Sequence, residues 1–238
     1  MSISHAMIIL RDVSKTFTMH LRGAARLAVV ENVAFSVAGG ECVVLGGPSG
    51  TGKSSILKMI YGNYRTDRGE ILVRGPEGQV DIASSEPRAV LALRASTLGY
   101  VSQFLRTIPR VSALDIVATS AQSKGTSRAH ARERAGNLLQ RLNVPERLWH
   151  LPPATFSGGE QQRVNIACGF AASRPILLLD EPTASLDAAN RAVVVDLINE
   201  RKRAGVAIIG IFHDEDVRQT ISDRIVDVAA FAPREVAA

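Results

Sequence analysis

The chain is poor in cysteine and in aromatic side chains, and it has no long apolar run. Two cysteines, Cys42 and Cys168, stand in 238 residues, which gives neither a disulfide framework nor a metal-ligand spacing. Cys42 falls inside a short apolar run and reads as a small buried side chain. Aromatics make up 5% of the residues against 46% hydrophobic, a balance that suits an aliphatic α/β protein better than an aromatic-rich binding module. No stretch approaches the roughly 18 consecutive apolar residues of a membrane helix. Met1 to Leu10 lacks the basic-then-apolar design of a secretory signal. The expectation is a soluble, cytoplasmic chain with no membrane insertion of its own, any membrane role being borrowed from a partner. No internal repeat is visible.

Charge excludes less. A formal net charge of +5 and a pI near 9.6 are compatible with nucleic acid or acidic lipid. The basic residues are scattered, however, with only short knots such as Arg201-Lys202-Arg203, so a solvated basic face is expected and no nucleic-acid partner.

What is present is concentrated in one stretch, Gly47-Pro48-Ser49-Gly50-Thr51-Gly52-Lys53-Ser54, which fits G-x-x-x-x-G-K-[ST] at each defined position. Glu41 to Leu45 before it has the length and aliphatic character of a strand. Ser55 to Ile60 after it reads as a helix stopping near Gly62-Asn63. Strand, glycine loop and helix together make a phosphate site: curled backbone turns N–H groups inward, and the helix start adds unpaired donors. Lys53 can reach β- and γ-phosphates and the Ser54 hydroxyl can ligate Mg²⁺. An ATP-type ligand with Mg²⁺ is therefore expected on residues 47–55, Ser55 included.

Along the chain, Met7–Leu10 and Val13–Phe17 read as a first strand and its exit, and Thr18–Ala28 as a polar loop carrying Arg22 and Arg26. Val29–Val37 alternates, with Val33, Phe35 and Val37 on one face. With the turn Ala38-Gly39-Gly40 it predicts a hairpin into the phosphate-loop strand. Ile71–Val73 and Val80–Ile82 flank Gly75-Pro76-Glu77-Gly78, a second hairpin. Leu98–Ser102 reads as a strand ending at Gln103. From 104 to 169 the pattern turns helical: Ser127 can cap a helix carrying Ala131, Ala135, Leu138, Leu139 and Leu142, with Pro145 beyond it. Ile176–Leu179 and Val206–Ile211 are continuous aliphatic runs, as in parallel strands covered on both faces. Asp187 can cap the helix between them, and the tail from about Ala229 is expected to fray. Asp180 and Glu181 end the Ile176 strand, at the sheet edge where α/β ligands bind. There Asp180 can hold Mg²⁺ beside Ser54, and Glu181 can act as general base on water.

Phe156-Ser157-Gly158-Gly159-Glu160-Gln161-Gln162-Arg163 resembles the signature of ABC-type ATPases, and further motifs fall in order around it. Gln103 resembles the family's glutamine loop, which senses Mg²⁺. Asp180-Glu181 resembles its second Walker motif, Ala184-Ser185-Leu186-Asp187 its D-loop, His213 its switch histidine, and Phe17 the aromatic that stacks on adenine. The likeness spans roughly residues 6–228. It implies a P-loop NTPase fold: an α/β core with an antiparallel subdomain (1–103 and 170–228), an inserted helical subdomain (104–169) and a short tail (229–238). It also implies a homodimer, or a heterodimer with a related ATPase, in which Ser157, Gly158, Gly159 and Glu160 contact ATP held by the other subunit, and it makes Ser185 and Asp187 the D-loop residues of the site. Lys53, Glu181 and His213 would carry hydrolysis.

Two positions depart from the commoner pattern: Phe156 stands where leucine usually opens the signature, and Glu160 where glutamine closes it. Ser157-x-x-Glu160 is also a capping box, which would turn the Glu160 carboxylate back on its own helix. Cys168 stands where many relatives carry arginine. These features, with Ser102–Arg106, Arg141–His150 and Ile211–Asp214, resemble the L-type subunits of bacterial carbon–phosphorus lyase systems. That likeness implies soluble carbon–phosphorus lyase partners and assistance to formation of a ribose 1-phosphonate 5-triphosphate from ATP and an alkylphosphonate. The alternative is the nucleotide-binding ATPase of a membrane transporter for lipoprotein or phosphonate, whose partner would grip the region from Gln103 to Asp115.

Overall fold

The computed structural model describes residues 6–19, 25–105, 109–122 and 126–233. Arg22, Arg106 and the end of the predicted tail lie outside them. Two sheets organise these residues. The first is antiparallel: β1 (Ala6–Met19), β2 (Ala25–Ala38), β4 (Arg68–Gly75) and β5 (Gly78–Asp81), in the order β2-β1-β4-β5. The second is parallel: β3 (Cys42–Gly46), β6 (Leu98–Val101), β7 (Ile176–Asp180), β8 (Ala207–Ile211) and β9 (Arg224–Asp227), in the order β6-β7-β8-β3-β9. Every residue of β3, β7 and β8 is buried, the expected state of aliphatic parallel strands covered on both faces.

The helices are α1 (Lys53–Ile60), α2 (Pro87–Ser96), α3 (Ala113–Ala121), α4 (Arg128–Arg141), α5 (Gly158–Ala171), α6 (Ala188–Arg203) and α7 (Glu215–Ile221). Ser127 caps α4 by accepting from the His130 N–H at 3.2 Å, and Ala131, Ala135 and Leu139 form its buried stripe. Asp187 caps α6 by accepting from the Asn190 N–H at 2.8 Å, with Val194, Leu197 and Ile198 inward. The apolar interior has two parts. One packs α3–α5 against α6 and one face of the parallel sheet; the other lies between the two sheets around α1.

Several local expectations are corrected. Thr18, Met19 and Ala25–Ala28 belong to strands, because β1 and β2 form one long twisted ribbon pairing Phe17 with Leu27 and Thr18 with Arg26. Its polar outer residues face water, so composition alone made it look like a loop. β2 does not form a hairpin with the phosphate-loop strand: it pairs with β1, and β3 enters the other sheet. Helix α2 carries only Val90 and Leu93 as buried residues, too sparse a stripe to read as a period. The tail does not fray at once: Val228–Phe231 makes a 3₁₀ turn, and Phe231 packs on the core. In the basic knot, Arg201 donates to the Phe170 carbonyl and Lys202 to the Ile221 carbonyl, so only part of it is the expected solvated face.

Candidate functional site

The loop after β3 turns through three glycines at positive φ, Gly47 (112°), Gly50 (86°) and Gly52 (99°). A side chain at Gly52 would also collide with Val29 and Val30, its Cβ 2.8 Å and 2.7 Å from their methyls. Gly52 sits at the N-cap of α1 and offers no side-chain acceptor, so the first N–H groups of that helix face the loop for an anion to take. Lys53 is buried. Its ammonium donates to the carbonyls of Gly47 (2.8 Å) and Pro48 (2.6 Å). Desolvation lowers its pKa, and the opposing pull of the Glu181 carboxylate is smaller. Thr51 Oγ1 donates to the Pro48 carbonyl at 2.9 Å, closing the loop.

Two carboxylates meet this loop from the end of β7. The Asp180 side chain accepts from the Ser54 hydroxyl at 3.0 Å and, on its other oxygen, from the Tyr100 hydroxyl at 2.9 Å. Glu181 follows in a left-handed conformation, φ 53°, with its N–H donating to the Ile211 carbonyl at 3.1 Å. A non-glycine residue there is strained by about 1–2 kcal/mol, and the result is that consecutive carboxylates face different partners. Glu181 Oε2 accepts from Gln103 Nε2 at 3.0 Å, and Oε1 lies 2.7 Å from His213 Nε2. Gln103, Glu181 and His213, at the ends of β6, β7 and β8, thus form one row.

A cleft of about 360 Å³ opens at the Glu181 and His213 end of this row, and Gln103 does not line it. Ser49, Gly50 and Gly52–Ser55 form one wall, Glu181 and His213 one end, and Phe17, Leu27 and Val29 the other. Phe17 meets Tyr64 edge-on, ring centres 5.2 Å apart. The cleft therefore has a phosphate end and an apolar end about which a purine can be placed.

The signature residues lie elsewhere. Ser157, Gly158, Gly159 and Glu160 do not line the cleft; they open α5. Glu160 Oε2 accepts from both the Ser157 N–H (2.9 Å) and the Ser157 hydroxyl (2.7 Å), while the Glu160 N–H points back at Ser157 Oγ. The Ser157 hydroxyl, then the Ser157 N–H, hold the carboxyl below its ordinary pKa. A Cβ on Gly158 would meet nothing within 4 Å, and one on Gly159 would come 3.2 Å from the Ser185 carbonyl. Asp187 is engaged as the cap of α6.

Residues that motif reading passed over tie these parts together. Gln162 donates to the Pro182 carbonyl at 3.1 Å and Asn165 to the Ser102 carbonyl at 2.5 Å, so α5 is bonded to the segments carrying Glu181 and Gln103. Both are about 5% exposed. Two amides three apart, on the helix face shared with the buried Ile166 and Gly169, are the signal that could have found them. Tyr100 and Leu27 had no such signal.

Among the described residues no group of His, Cys, Asp and Glu forms a metal cluster. Mg²⁺ takes one or two protein oxygens and completes its shell with phosphates and water. The adjacent Ser54 hydroxyl and Asp180 carboxylate fit that donor chemistry. Gln103, the third expected ligand, is bonded to Glu181 instead.

A second groove, about 620 Å³, opens beside Gln103 and is bounded by Phe104, Leu105, Ile116 and Cys168. Phe104 is 75% exposed. Burial pushes the Cys168 thiol up to about 11 and the Cys42 thiol to about 12, so both are protonated, inert side chains at neutral pH.

A family model described as ABC transporter matches residues 30–184. The chain is 39% identical over 207 residues to the lipoprotein-releasing system ATP-binding protein LolD of Maricaulis maris, covering 87% of this chain and 88% of LolD. It is 32% identical over 220 residues to the macrolide export ATP-binding/permease protein MacB of a Shewanella strain, spanning 32% of that longer chain. The dimeric structure of the ABC transporter cassette MJ0796 superposes with a TM-score of 0.83 at 28% identity, over 94% of this chain and 95% of the other. A post-hydrolysis form of the same cassette, bound to ADP and Pi, gives 0.82 at 27% identity, over 94% and 95%. The names of these relatives concern transport, against the expected kinship with a carbon–phosphorus lyase subunit. Among the described residues no helix is long and apolar enough to cross a membrane. The chain belongs to the ABC transporter family of ATP-binding proteins.

Proposed function

We propose that the chain hydrolyses ATP and uses closure of a two-subunit assembly to drive a partner docked beside Gln103. The observation that carries the reading is Glu181, held between Gln103 and His213 at the edge of the phosphate loop. Adenine stacks at the Phe17 end of the cleft. Lys53 exchanges the Gly47 and Pro48 carbonyls for β- and γ-phosphate oxygens and neutralises part of their charge. Glu181 accepts a proton from water aligned on the γ-phosphate, and His213 orients that carboxylate. Mg²⁺, when bound, is held by Ser54 and Asp180 and offsets phosphate charge. Because the α5 mouth lies outside its own cleft, a second subunit, identical or related, supplies Ser157, Gly158 and Gly159 to the nucleotide.

The partner reading with most support is the membrane component of a lipoprotein-release or export system, by analogy with LolD and MacB. A second reading, a soluble carbon–phosphorus lyase assembly acting on phosphonates, is favoured by Ser102–Leu105, Arg141–His150 and the Phe156/Glu160 signature. Tagged Glu181→Gln, expected to bind ATP and stall as a dimer on size exclusion, separates these. Pulled from membrane and soluble fractions of its own host grown on phosphonate, it brings down a polytopic membrane protein or the lyase subunits, respectively. Hydrolysis by Glu181→Gln at the wild-type rate would refute the general-base role, and Lys53→Ala, expected to lose ATP binding, is the control.

A further inference from the structure

Away from the nucleotide cleft, α4 and α6 face each other across a separate open groove of about 400 Å³. Arg134, Leu138 and Arg141 face it from α4; Leu197, Glu200 and Arg201 face it from α6. Arg141 and Glu200 satisfy each other through two parallel hydrogen bonds of 2.7 Å and 2.5 Å. Arg134 and Arg201 are placed differently. Arg134 donates to Ser173 Oγ at 3.0 Å. Arg201 donates to the Phe170 carbonyl and lies against the Phe170 ring. Those acceptors are neutral, and among the described residues neither guanidinium forms an ion pair with a carboxylate. Each retains further N–H donors. Both guanidiniums line the one groove; burial first, and then the Arg134 charge, lower the Arg201 pKa, with the Glu200 carboxylate pulling less strongly the other way. Solvated arginines on an outer face would not be held this way, since Arg201 is half-buried and fixed to the main chain.

An oxyanion between them would relieve that repulsion and take up the fork-like donors. Leu138 and Leu197 add an apolar floor, and the volume is in the range of small-molecule sites. We propose that this cleft binds a small phosphate-bearing organic molecule, its phosphoryl group between Arg134 and Arg201 and its apolar part on Leu138 and Leu197. Occupancy would fasten the helical layer carrying the signature to the sheet layer carrying Glu181. The site stands independently of the proposed hydrolysis.

The test uses the full chain saturated with ADP, so that the phosphate loop is filled, and titrates phenyl phosphate or inorganic phosphate by calorimetry. Phenyl phosphate is expected to bind, and more tightly than inorganic phosphate. Arg134→Gln, at the rim, should weaken it about tenfold or more without changing the melting temperature or ATP binding. Glu200→Gln, which frees Arg141, should strengthen it severalfold. Equal affinity for the two probes would overturn the organic half of the proposal in favour of inorganic phosphate. Binding of neither probe, or binding that Arg134→Gln and Glu200→Gln leave unchanged, would overturn the site.

Discussion

Glu160 offers the most exposed test of how the signature is built. A carboxylate at a helix mouth intended for a phosphate is tolerable only if its charge is spent locally, and here one oxygen receives both donors of Ser157, at 2.9 Å and 2.7 Å. Removing it in Glu160→Ala takes away half of a capping box and a favourable charge at the start of α5, about 1 kcal/mol. Glu160→Gln keeps an acceptor but loses the charge, and should cost about half as much. For a chain of this size that is a fall in Tm of about 2–4 °C for alanine and about 1–2 °C for glutamine.

The pH dependence separates this from a generic packing effect. The folded carboxyl sits below its ordinary pKa of 4.5, through the Ser157 hydroxyl first and its N–H second. Its contribution is complete above that ordinary value and is lost as pH falls through the lowered folded pKa. The gap in Tm between wild type and Glu160→Gln should therefore be constant from neutral pH down to about 5 and close below it. Differential scanning fluorimetry across pH, beside a steady-state ATPase assay, measures both quantities. A large rise in ATPase rate with an unchanged Tm would refute the reasoning, because it would place the carboxylate against the nucleotide.

The apolar end of the cleft gives a second test. Phe17→Ala should weaken ATP about tenfold or more, and Leu27→Ser less, through lost stacking area. Inorganic triphosphate should bind both variants as it binds wild type, and equal losses for the two ligands would remove Phe17 from the base site. Gly169→Ala probes the tie between α5 and the sheet. The new Cβ would come 2.2 Å from Val101 Cγ2, so denaturant unfolding should show a loss of about 1–3 kcal/mol.

Much of the site was legible because its parts are local. The phosphate loop needs glycine at left-handed positions and a lysine fixed in sequence after them. Asp180 and Glu181 needed only a buried aliphatic strand to place them at the sheet edge. What stayed hidden depends on distant pairing. Tyr100 touches Asp180 across 80 residues, and nothing in Leu98–Val101 marks its hydroxyl. The β1–β2 ribbon hid for another reason: Thr16–Met19 and Arg26–Ala28 are all exposed or half-exposed, so their strand character rests on main-chain pairing, which leaves no trace in side-chain period. Helix α2 stayed hidden because its apolar residues follow no one face: Val90 and Leu93 are buried while Leu91 points to solvent.

Glu181 joins stability to chemistry in one residue. Its φ of 53° directs the carboxylate to Gln103 and His213 while Asp180, one residue earlier, faces Ser54 and Tyr100. A regular strand would also send the two side chains to opposite faces, but it would carry Glu181 away from the row formed with His213. The backbone strain is about 1–2 kcal/mol, and glycine would remove it while losing about 0.5–1 kcal/mol through a freer unfolded chain. Relative to Glu181→Ala, which keeps the strain and like glycine lacks the contacts to Gln103 and His213, Glu181→Gly should therefore be more stable by up to about 1.5 kcal/mol and equally inactive. Denaturant unfolding of the two variants at matched m-value measures the difference. A glycine variant less stable than the alanine one by about 0.5 kcal/mol or more would mean that the conformation carries no strain. The position would then be set by the side-chain contacts alone.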